Sequence, residues 1–290
     1  MTSSAFAPAK VNLFLHVGAP QPDGFHPVCS LMAFADVGDR LTLEPCDRRE
    51  LILTGAFGAG LDGEGDNLVD RAVRALFANL DRDEPPFRLV LDKALPIAAG
   101  LGGGSSDAGA ALKLVRDHFG LAVDDAGLEA VAASLGSDGA ACFRARSVIA
   151  RGRGEQLEPM PGLPVLHAVL VNPKVASPTG PVYRAYDQAV AAEGANLPAL
   201  PARFADAAEA AGFFADCRND LEPPAAALTP AIATVLSALR AQPEALLTRV
   251  SGSGATCFAL CAGLAQAQAL AQRLAGDQPG WWVRACRLGA

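Results

Sequence analysis

The segment from Phe87 to Gly120 constrains the fold of this chain more than any other, because it predicts a strand, a glycine-rich loop and a helix in succession. Residues 87–92 alternate apolar and polar side chains, as a half-buried strand does. Residues 96–109, with the sequence PIAAGLGGGSSDAG, form the predicted loop. Beyond the loop, apolar side chains recur at helical spacing, and Gly120 stands where a C-terminal cap is expected.

This loop has the composition of an anion-binding turn. Glycines let the backbone approach a ligand closely, and Ser105, Ser106 and Asp107 are predicted to cap the helix start. The first helical turn offers unpaired N–H groups and the positive end of the helix dipole. No Lys follows the glycines as in a P-loop, and position 105 is Ser where a dinucleotide fingerprint has its third Gly. A flexible connector is the alternative, but it would be polar and uncapped, so the segment favours phosphate binding.

Composition and charge exclude several classes of function. The chain has 290 residues, of which 51% are apolar and 19% charged, as in a soluble globular protein of one domain or two closely joined ones. No apolar run reaches the roughly 18 residues of a membrane span, and the N-terminus lacks the basic start of a secretory signal. We therefore expect a cytoplasmic protein without a membrane partner. The net charge of −7 argues against nucleic-acid binding.

The seven cysteines and four histidines show no metal-ligand spacing, so the sequence predicts reduced cysteines and no metal site built from these residues.

The order of predicted elements favours two α+β domains with a site between them. The sequence turns rich in Gly and Pro around residues 152–164, so we place the domains at 1–160 and 161–290. The predicted strands are 10–17, 40–44, 50–53, 87–92, 165–171, 247–250, 255–261 and 281–288. The predicted helices are 67–79, the helix after the glycine loop, 125–135, 229–242 and 264–275, with parts of 183–215.

Four further segments carry candidate functional residues, and each also has an ordinary structural explanation. Lys10 and Asn12 project from one face of a strand, so Lys10 is either a phosphate partner or a surface lysine at a strand tip. Asp138 is either an acid or base, or a turn residue. Residues 23–26, DGFH, could stack a nucleobase or form a hairpin tip. Residues 251–254, SGSG, could be a second backbone cradle or a tight turn.

Together these segments resemble the GHMP kinases, a superfamily of small-molecule kinases named for galactose, homoserine, mevalonate and phosphomevalonate. The matches run in order from residue 8 to about residue 260. They are PAKVNLFL at 8–15, DGFH at 23–26, DNL at 66–68, GLGGGSSD at 100–107, GSD at 136–138, NDL at 219–221 and SGSGA at 251–255. The DGFH and Lys10 segments are similar to the branch that phosphorylates 4-diphosphocytidyl-2-C-methyl-D-erythritol, a cytidine diphosphate-linked methylerythritol.

The resemblance implies a two-domain α+β architecture. An ATP-binding domain would be followed by a ferredoxin-like C-terminal domain, with the active site in the cleft between them. The implied reaction transfers the γ-phosphoryl group of ATP, with Mg²⁺, to the 2-hydroxyl of that substrate, in the non-mevalonate route to isopentenyl diphosphate. The implied assembly is a monomer or a homodimer.

The resemblance also implies residue roles. Asp138 would be the catalytic base and Lys10 its partner, with Asn12 beside the methylerythritol. Asn67 and Lys93 would lie near the adenine and ribose. The residues that would wrap the triphosphate are Pro96, Ile97, Ala98, Ala99, Gly100, Leu101, Gly102, Gly103, Gly104, Ser105 and Ser106. Those that would enclose the cytosine are Phe25, His26 and Tyr183, and those that would border the substrate phosphates are Gly252, Ser253 and Gly254.

Two other functions remain open at this point. Another GHMP kinase, acting on homoserine or mevalonate, would have no use for the Phe25-His26 element. A non-catalytic nucleotide-binding regulator would have no use for Lys10 and Asp138. Gly139-Ala140 also stands where the family commonly has Val-Pro, so we expect a less constrained backbone beside Asp138.

Overall fold

The computed structural model describes residues 2–61, 67–189 and 194–289, and Asp66 of the DNL motif lies outside them. The strands in these residues are β1 (Ser3–Val17), β2 (Val28–Glu44), β3 (Glu50–Thr54), β4 (Arg88–Asp92), β5 (Val148–Gly152), β6 (Gln156–Pro159), β7 (Leu166–Asn172), β8 (Leu247–Val250), β9 (Cys257–Cys261) and β10 (Trp282–Leu288). The α-helices are α1 (Leu68–Asn79), α2 (Gly103–Phe119), α3 (Asp125–Leu135), α4 (Gly139–Arg144), α5 (Thr179–Ala189), α6 (Ala207–Ala215), α7 (Glu222–Leu228), α8 (Pro230–Arg240) and α9 (Leu264–Asp277).

The chain forms two units that interleave along the sequence. Unit 1 contains residues 1–9, 38–97 and 102–145, and unit 2 contains residues 10–37, 98–101 and 146–290. Strands β1 and β2 therefore each contribute residues to both units. The division of the sequence near residue 160 stays a prediction.

Unit 1 packs helices against a small sheet. Strand β3 pairs in parallel with β4, and β4 pairs antiparallel with residues 40–44 of β2. The alternation predicted for β4 is real, because Leu89 and Leu91 are fully buried in the core. Helices α1, α2 and α3 contribute their apolar faces to the same core, and α1 begins where the Asn67 side chain accepts a hydrogen bond from the Val69 N–H.

Unit 2 contains a ferredoxin-like sheet. Its strand order is β10–β7–β9–β8, all antiparallel, with helices inserted between β7 and β8 and between β9 and β10. Numbered from β7, this is the order 4-1-3-2 of the split βαβ arrangement. Strand β10 pairs along its whole length with β7, from Trp282 opposite Asn172 to Leu288 opposite Leu166. The predicted ferredoxin-like C-terminal fold is confirmed.

Several elements were not predicted, among them β5, α7 and the three described next, and these three lack the periodic signal of a regular element. Residues 28–35 of β2 form a nearly continuous apolar run in which consecutive residues are buried, so the strand shows no alternation there. Helix α4 has only six residues, too few to show a helical period. The Gly- and Pro-rich stretch at 152–164 contains β6, which pairs with β5 as a hairpin.

The sequence analysis predicted no membrane span and only reduced cysteines, and both predictions can be compared with the described residues. None of their helices is both long and apolar enough to cross a bilayer. All seven cysteines are free, and all but Cys46 are buried.

Candidate active site

The glycine loop connects β4 to α2 through residues with left-handed backbone conformations. Ala98, Gly100 and Gly102 have φ angles of 49°, 74° and 63°. Gly102 is the N-cap of α2, so the amides of Gly103 and its neighbours begin the helix without carbonyl partners inside it. The predicted succession of strand, loop and helix is confirmed, in the geometry with which helix N-termini bind phosphate.

The prediction that polar side chains cap α2 is wrong. The helix begins two residues before Ser105 because Gly102 takes the left-handed conformation at its start, and no side chain makes the capping hydrogen bond there in the described chain. Ser105, Ser106 and Asp107 lie inside the first two turns instead. Ser106 Oγ and Asp107 Oδ1 are buried, and neither has a hydrogen-bond partner among the described residues.

Gly100 is held against the SGSG segment within unit 2. A Cβ atom on Gly100 would lie 2.1 Å from the carbonyl oxygen of Ser251, a distance that no side chain can occupy. Ser251 Oγ donates to the Gly100 carbonyl at 2.8 Å, and the Thr256 N–H donates to the Ala99 carbonyl at 3.0 Å. Glycine is therefore required at position 100 both by its φ angle and by the approach of another backbone.

Lys10 and Asn12 contact the same part of unit 2. Lys10 Nζ donates to Asn12 Oδ1 at 2.8 Å, which confirms that the two side chains share a face of β1. Asn12 Nδ2 donates to Ser30 Oγ, and the Asn12 N–H donates to Ser251 Oγ at 3.2 Å. Both residues are buried, so these hydrogen bonds fix a lysine ammonium and an amide beside the SGSG segment.

Three residues outside the predicted site support the SGSG segment. Asn219 Nδ2 donates to the carbonyls of Val250 and Gly252, each at 2.8 Å. Ser177 Oγ donates to the Ser253 carbonyl at 2.7 Å, and Thr179 Oγ1 lies 2.9 Å from Ser253 Oγ. The NDL motif at 219–221 was a signal for Asn219, whereas nothing in the sequence pointed to Ser177 or Thr179.

A buried group of three charges lies in unit 1 at the glycine loop. Lys93 Nζ contacts Asp39 Oδ2 at 2.5 Å and Asp107 Oδ2 at 2.7 Å. Asp39 Oδ1 also accepts the N–H groups of Ala94 and Leu95, at 2.7 and 2.8 Å. The three side chains are at most 4% exposed.

The protonation equilibria of this group follow from its geometry. Burial raises the pKa of Asp107 to about 7, against the attraction of Lys93. Asp39 accepts two backbone N–H groups in addition to the lysine ammonium, whereas Asp107 Oδ1 has no described hydrogen-bond partner. Burial lowers the pKa of Lys93, but attraction to Asp107 and Asp39 outweighs it and the net pKa is raised.

Asp138 lies at the start of α4 in unit 1. It is the N-cap residue by position, but its carboxylate makes no capping hydrogen bond with that helix. The expected looseness of this segment is wrong, because a Cβ atom on Gly139 would lie 1.9 Å from the Ala132 carbonyl oxygen, and residues 139–143 are all buried. Close packing of α4 on α3 therefore determines where the Asp138 backbone lies.

Two of the three predicted nucleobase contacts lie together in unit 2. The rings of His26 and Tyr183 have centroids 4.9 Å apart, and His26 Nε2 lies 2.7 Å from Asp187 Oδ1. Because an ionised carboxylate only accepts hydrogen bonds, Nε2 carries the proton that lies between the two groups, and this contact favours the tautomer with Nδ1 as the acceptor. Asp187, on α5, was not predicted.

Phe25 has a different neighbour. Its side chain is exposed, and the guanidinium of Arg153 lies over its ring, 4.5 Å from the centroid. Arg153 also forms an ion pair with Asp23, whose other carboxylate oxygen accepts the Phe25 N–H. Arg153 therefore covers one face of the exposed aromatic ring, while Asp23 holds the Phe25 backbone and the arginine.

The comparisons with known proteins agree along the whole chain. The model of the GHMP kinases N terminal domain matches residues 67–146, and that of the GHMP kinases C terminal matches residues 197–278. A protein of Caulobacter vibrioides named 4-diphosphocytidyl-2-C-methyl-D-erythritol kinase is 60% identical over 289 residues, which cover 99% of this chain and 100% of that protein. This chain belongs to that family of GHMP kinases.

Solved structures support the same family. The crystal structure of a 4-(cytidine 5'-diphospho)-2C-methyl-D-erythritol kinase matches with a TM-score of 0.79 and 33% identity, covering 99% of this chain and 100% of that one. A homoserine kinase from Cytophaga hutchinsonii matches with a TM-score of 0.67 at 20% identity, covering 98% of this chain and 93% of its own, which shows a shared fold alone. The GHMP kinase resemblance is therefore confirmed, and with it the use of ATP.

The structure places the predicted site residues of this GHMP kinase in two sets. Unit 1 carries Asn67, Lys93, Pro96, Ile97, Gly102, Gly103, Gly104, Ser105, Ser106 and Asp138. Unit 2 carries Lys10, Asn12, Phe25, His26, Ala98, Ala99, Gly100, Leu101, Tyr183, Gly252, Ser253 and Gly254. Their roles stay predictions. Asn67 also caps the N-terminus of α1, and Lys93 also forms ion pairs with two carboxylates. The local sequence gave no signal for these two ion pairs.

Proposed function

We propose that this GHMP kinase transfers the γ-phosphoryl group of ATP to the 2-hydroxyl of 4-diphosphocytidyl-2-C-methyl-D-erythritol, forming the 2-phosphate and ADP. This is a step of non-mevalonate isoprenoid synthesis, and we place it in the cytoplasm, where ATP is supplied. Relatives named 4-diphosphocytidyl-2-C-methyl-D-erythritol kinase are about 60% identical to this chain over nearly its whole length. The observation that carries the substrate assignment is the ring cluster of His26 and Tyr183 with Asp187.

This cluster fits a cytosine ring. With Nε2 protonated toward Asp187, the Nδ1 atom of His26 is an acceptor, and the exocyclic amine of cytosine is a donor. Tyr183 adds an aromatic face, and Phe25 supplies a second one for stacking. Homoserine and mevalonate contain no ring that would use these groups.

The chemistry follows from positioning and charge. Phosphoryl transfer depends mainly on aligning the reactants and stabilising the transferred group. The amides of the glycine loop and the start of α2 bind the triphosphate, and the Lys10 ammonium, held by Asn12, compensates negative charge. Asp138 accepts the proton of the 2-hydroxyl as the phosphoryl group is transferred.

Mg²⁺ fits the oxygens at the start of α2. The described residues contain no group of three or more His, Cys, Asp or Glu that could hold a metal ion. Magnesium in kinases is bound mainly by substrate phosphates, with one or two oxygen ligands from the protein. Ser106 Oγ, buried and without a described hydrogen-bond partner, would be such a ligand, and the ion would neutralise phosphate charge.

The test is ADP release by the purified protein with Mg·ATP and the cytidyl substrate, beside parallel assays with homoserine and with mevalonate. Turnover confined to the cytidyl substrate supports the proposal. A His26→Ala variant tests the ring cluster, because it should raise KM for the cytidyl substrate about tenfold or more. Its KM for ATP should stay unchanged and serves as the internal control. Turnover of homoserine or mevalonate alone, or of none of the three, contradicts it.

A further inference from the structure

The buried charges of Asp39, Lys93 and Asp107 connect the two ends of the glycine loop. Ala94 and Leu95, whose N–H groups bind Asp39, directly precede the loop residues 96–106. Asp107 directly follows those residues. Lys93 donates to both carboxylates, so a continuous set of hydrogen bonds runs from the entrance of the loop to its exit.

Stability alone does not explain why these charges are buried. Removing three charged side chains from water is costly, and replacing a buried ion pair by apolar residues is often neutral or stabilising. The group also contains two carboxylates and one ammonium, and one of the carboxylate oxygens, Asp107 Oδ1, has no described hydrogen-bond partner. Because these three charges stabilise the fold inefficiently, their burial requires another explanation.

The position of Lys93 supplies that explanation. Its ammonium lies at the first turn of α2, since a Cβ atom on Gly103 would be 3.5 Å from Nζ. Lys93 thus reaches from the end of β4 to the turn whose amides begin the helix. The loop itself contains Ala98 with a φ of 49°, a left-handed conformation that a residue other than glycine keeps only when its surroundings hold it there.

We propose that Asp39 and Asp107 are positioning residues for ATP: through Lys93 they hold both ends of the glycine loop, so that its amides are preorganised for the phosphates. This inference rests on the role proposed above for the loop. It assigns Lys93 a function in shaping the loop, and it assigns functions to two aspartates to which the family resemblance gave no role.

The experiment compares ATP binding by calorimetry, without acceptor, and steady-state kinetics for three variants. Asp107→Ala removes one end of the connection while leaving Lys93 paired with Asp39, so the lysine charge stays compensated and we expect the variant to fold. ATP affinity should fall about tenfold, with KM for ATP rising by a similar factor and kcat changing less than about threefold. Asp107→Asn keeps an oxygen that can accept from Lys93 and should restore affinity to within about threefold of wild type.

Asp117→Ala is the matched control, because Asp117 lies on the same helix with an exposed side chain and should leave ATP affinity unchanged. Asp107→Ala with wild-type ATP affinity overturns the proposal, and so does a lowered melting temperature with unchanged KM, the result of a purely structural role. If the alanine variant does not fold, Asp107→Ser makes the same comparison, since its hydroxyl is too short to replace the carboxylate.

The two proposals fail separately. Because the ATP titration needs no acceptor, a wild-type protein that binds ATP but does not phosphorylate the cytidyl substrate contradicts the proposed function alone. Loss of ATP affinity in Asp107→Ala then still supports the positioning role.

Discussion

Asp138 is the residue on which the proposed chemistry most directly depends. Asp138→Asn keeps the size of the side chain but removes a proton acceptor, so we expect kcat to fall on the order of 10²-fold or more. ATP affinity should stay near the wild-type value, because the amides of the glycine loop are untouched. Steady-state kinetics together with ATP calorimetry measure both quantities.

The control for this substitution is Asp125→Asn, at an exposed carboxylate on α3 that pairs with Arg116. It should retain wild-type kcat. If Asp138→Asn also retains wild-type kcat, the base is another group.

His16 makes the stability of unit 2 depend on pH. Its Nδ1 lies 2.8 Å from the Asn196 carbonyl, and its Nε2 accepts the Arg218 N–H at 3.1 Å, so the ring is neutral with its proton on Nδ1. Burial lowers the pKa of His16 below its ordinary value of 6.5. The unfolded chain therefore binds a proton near pH 6.5 while the folded one does not, and stability is lost as the pH falls below that value.

We expect the melting temperature of the wild type to decrease between about pH 7 and pH 5, with part of the decrease due to His16. His16→Gln should be less stable at pH 7, yet its melting temperature should change less over the same interval. Scanning calorimetry at several pH values tests this, with His118→Gln as the control for loss of one histidine. Equal slopes for the wild type and His16→Gln would reject the assignment.

Single residues of the site were predictable only where their signal was local. Lys10 and Asn12 were found because two positions on one strand share a face. Asp39 and Asp187 carry no such signal, because their partners Lys93 and His26 are 54 and 161 positions away in the sequence. From the sequence alone, other aspartates were equally plausible partners of Lys93 and His26.

Helix α4 shows at the level of an element how one contact positions a functional residue. Gly139→Ala would place a methyl group 1.9 Å from the Ala132 carbonyl oxygen, so α4 must shift away from α3. We expect the free energy of unfolding to fall by about 2–4 kcal/mol and kcat to drop with it, because Asp138 begins this helix. Urea unfolding and kinetics give the two values.

Gly136→Ala is the matched control, since no atom lies within 4 Å of the added Cβ. Its cost should be below about 0.5 kcal/mol. Similar costs at the two glycines would mean that backbone entropy, and not the contact with Ala132, determines the requirement for glycine.

Elements were predictable in proportion to their length and periodicity. Helix α2 has seventeen residues with regular apolar spacing and a glycine C-cap, and its C-terminal end was predicted correctly. Its N-terminal cap was not, because the choice between Gly102 and the serines depends on the path of the loop. The first half of β2 was missed since burial on both faces removes the alternation.

At the scale of the whole molecule, ATP binding should be visible as added stability. A ligand at about 100 times its dissociation constant stabilises the folded state by about 2.7 kcal/mol. For a chain of this size, we expect Mg·ATP to raise the melting temperature by roughly 5 °C. Excess EDTA should remove most of this increase, and an increase that EDTA leaves intact would contradict the proposed role of Mg²⁺.

The amino-acid sequence by itself determined the α+β class, the glycine loop and the kinase family, because glycine conformations, apolar periods and ordered motifs act over short stretches of chain. Only the tertiary structure decided what surrounds those motifs. It placed Asp39 and Asp107 on Lys93, Asp187 on His26, and Asn219 on the carbonyls of Val250 and Gly252. These contacts join residues from separate elements, and hydrogen-bond geometry between such residues exists only once the chain has folded.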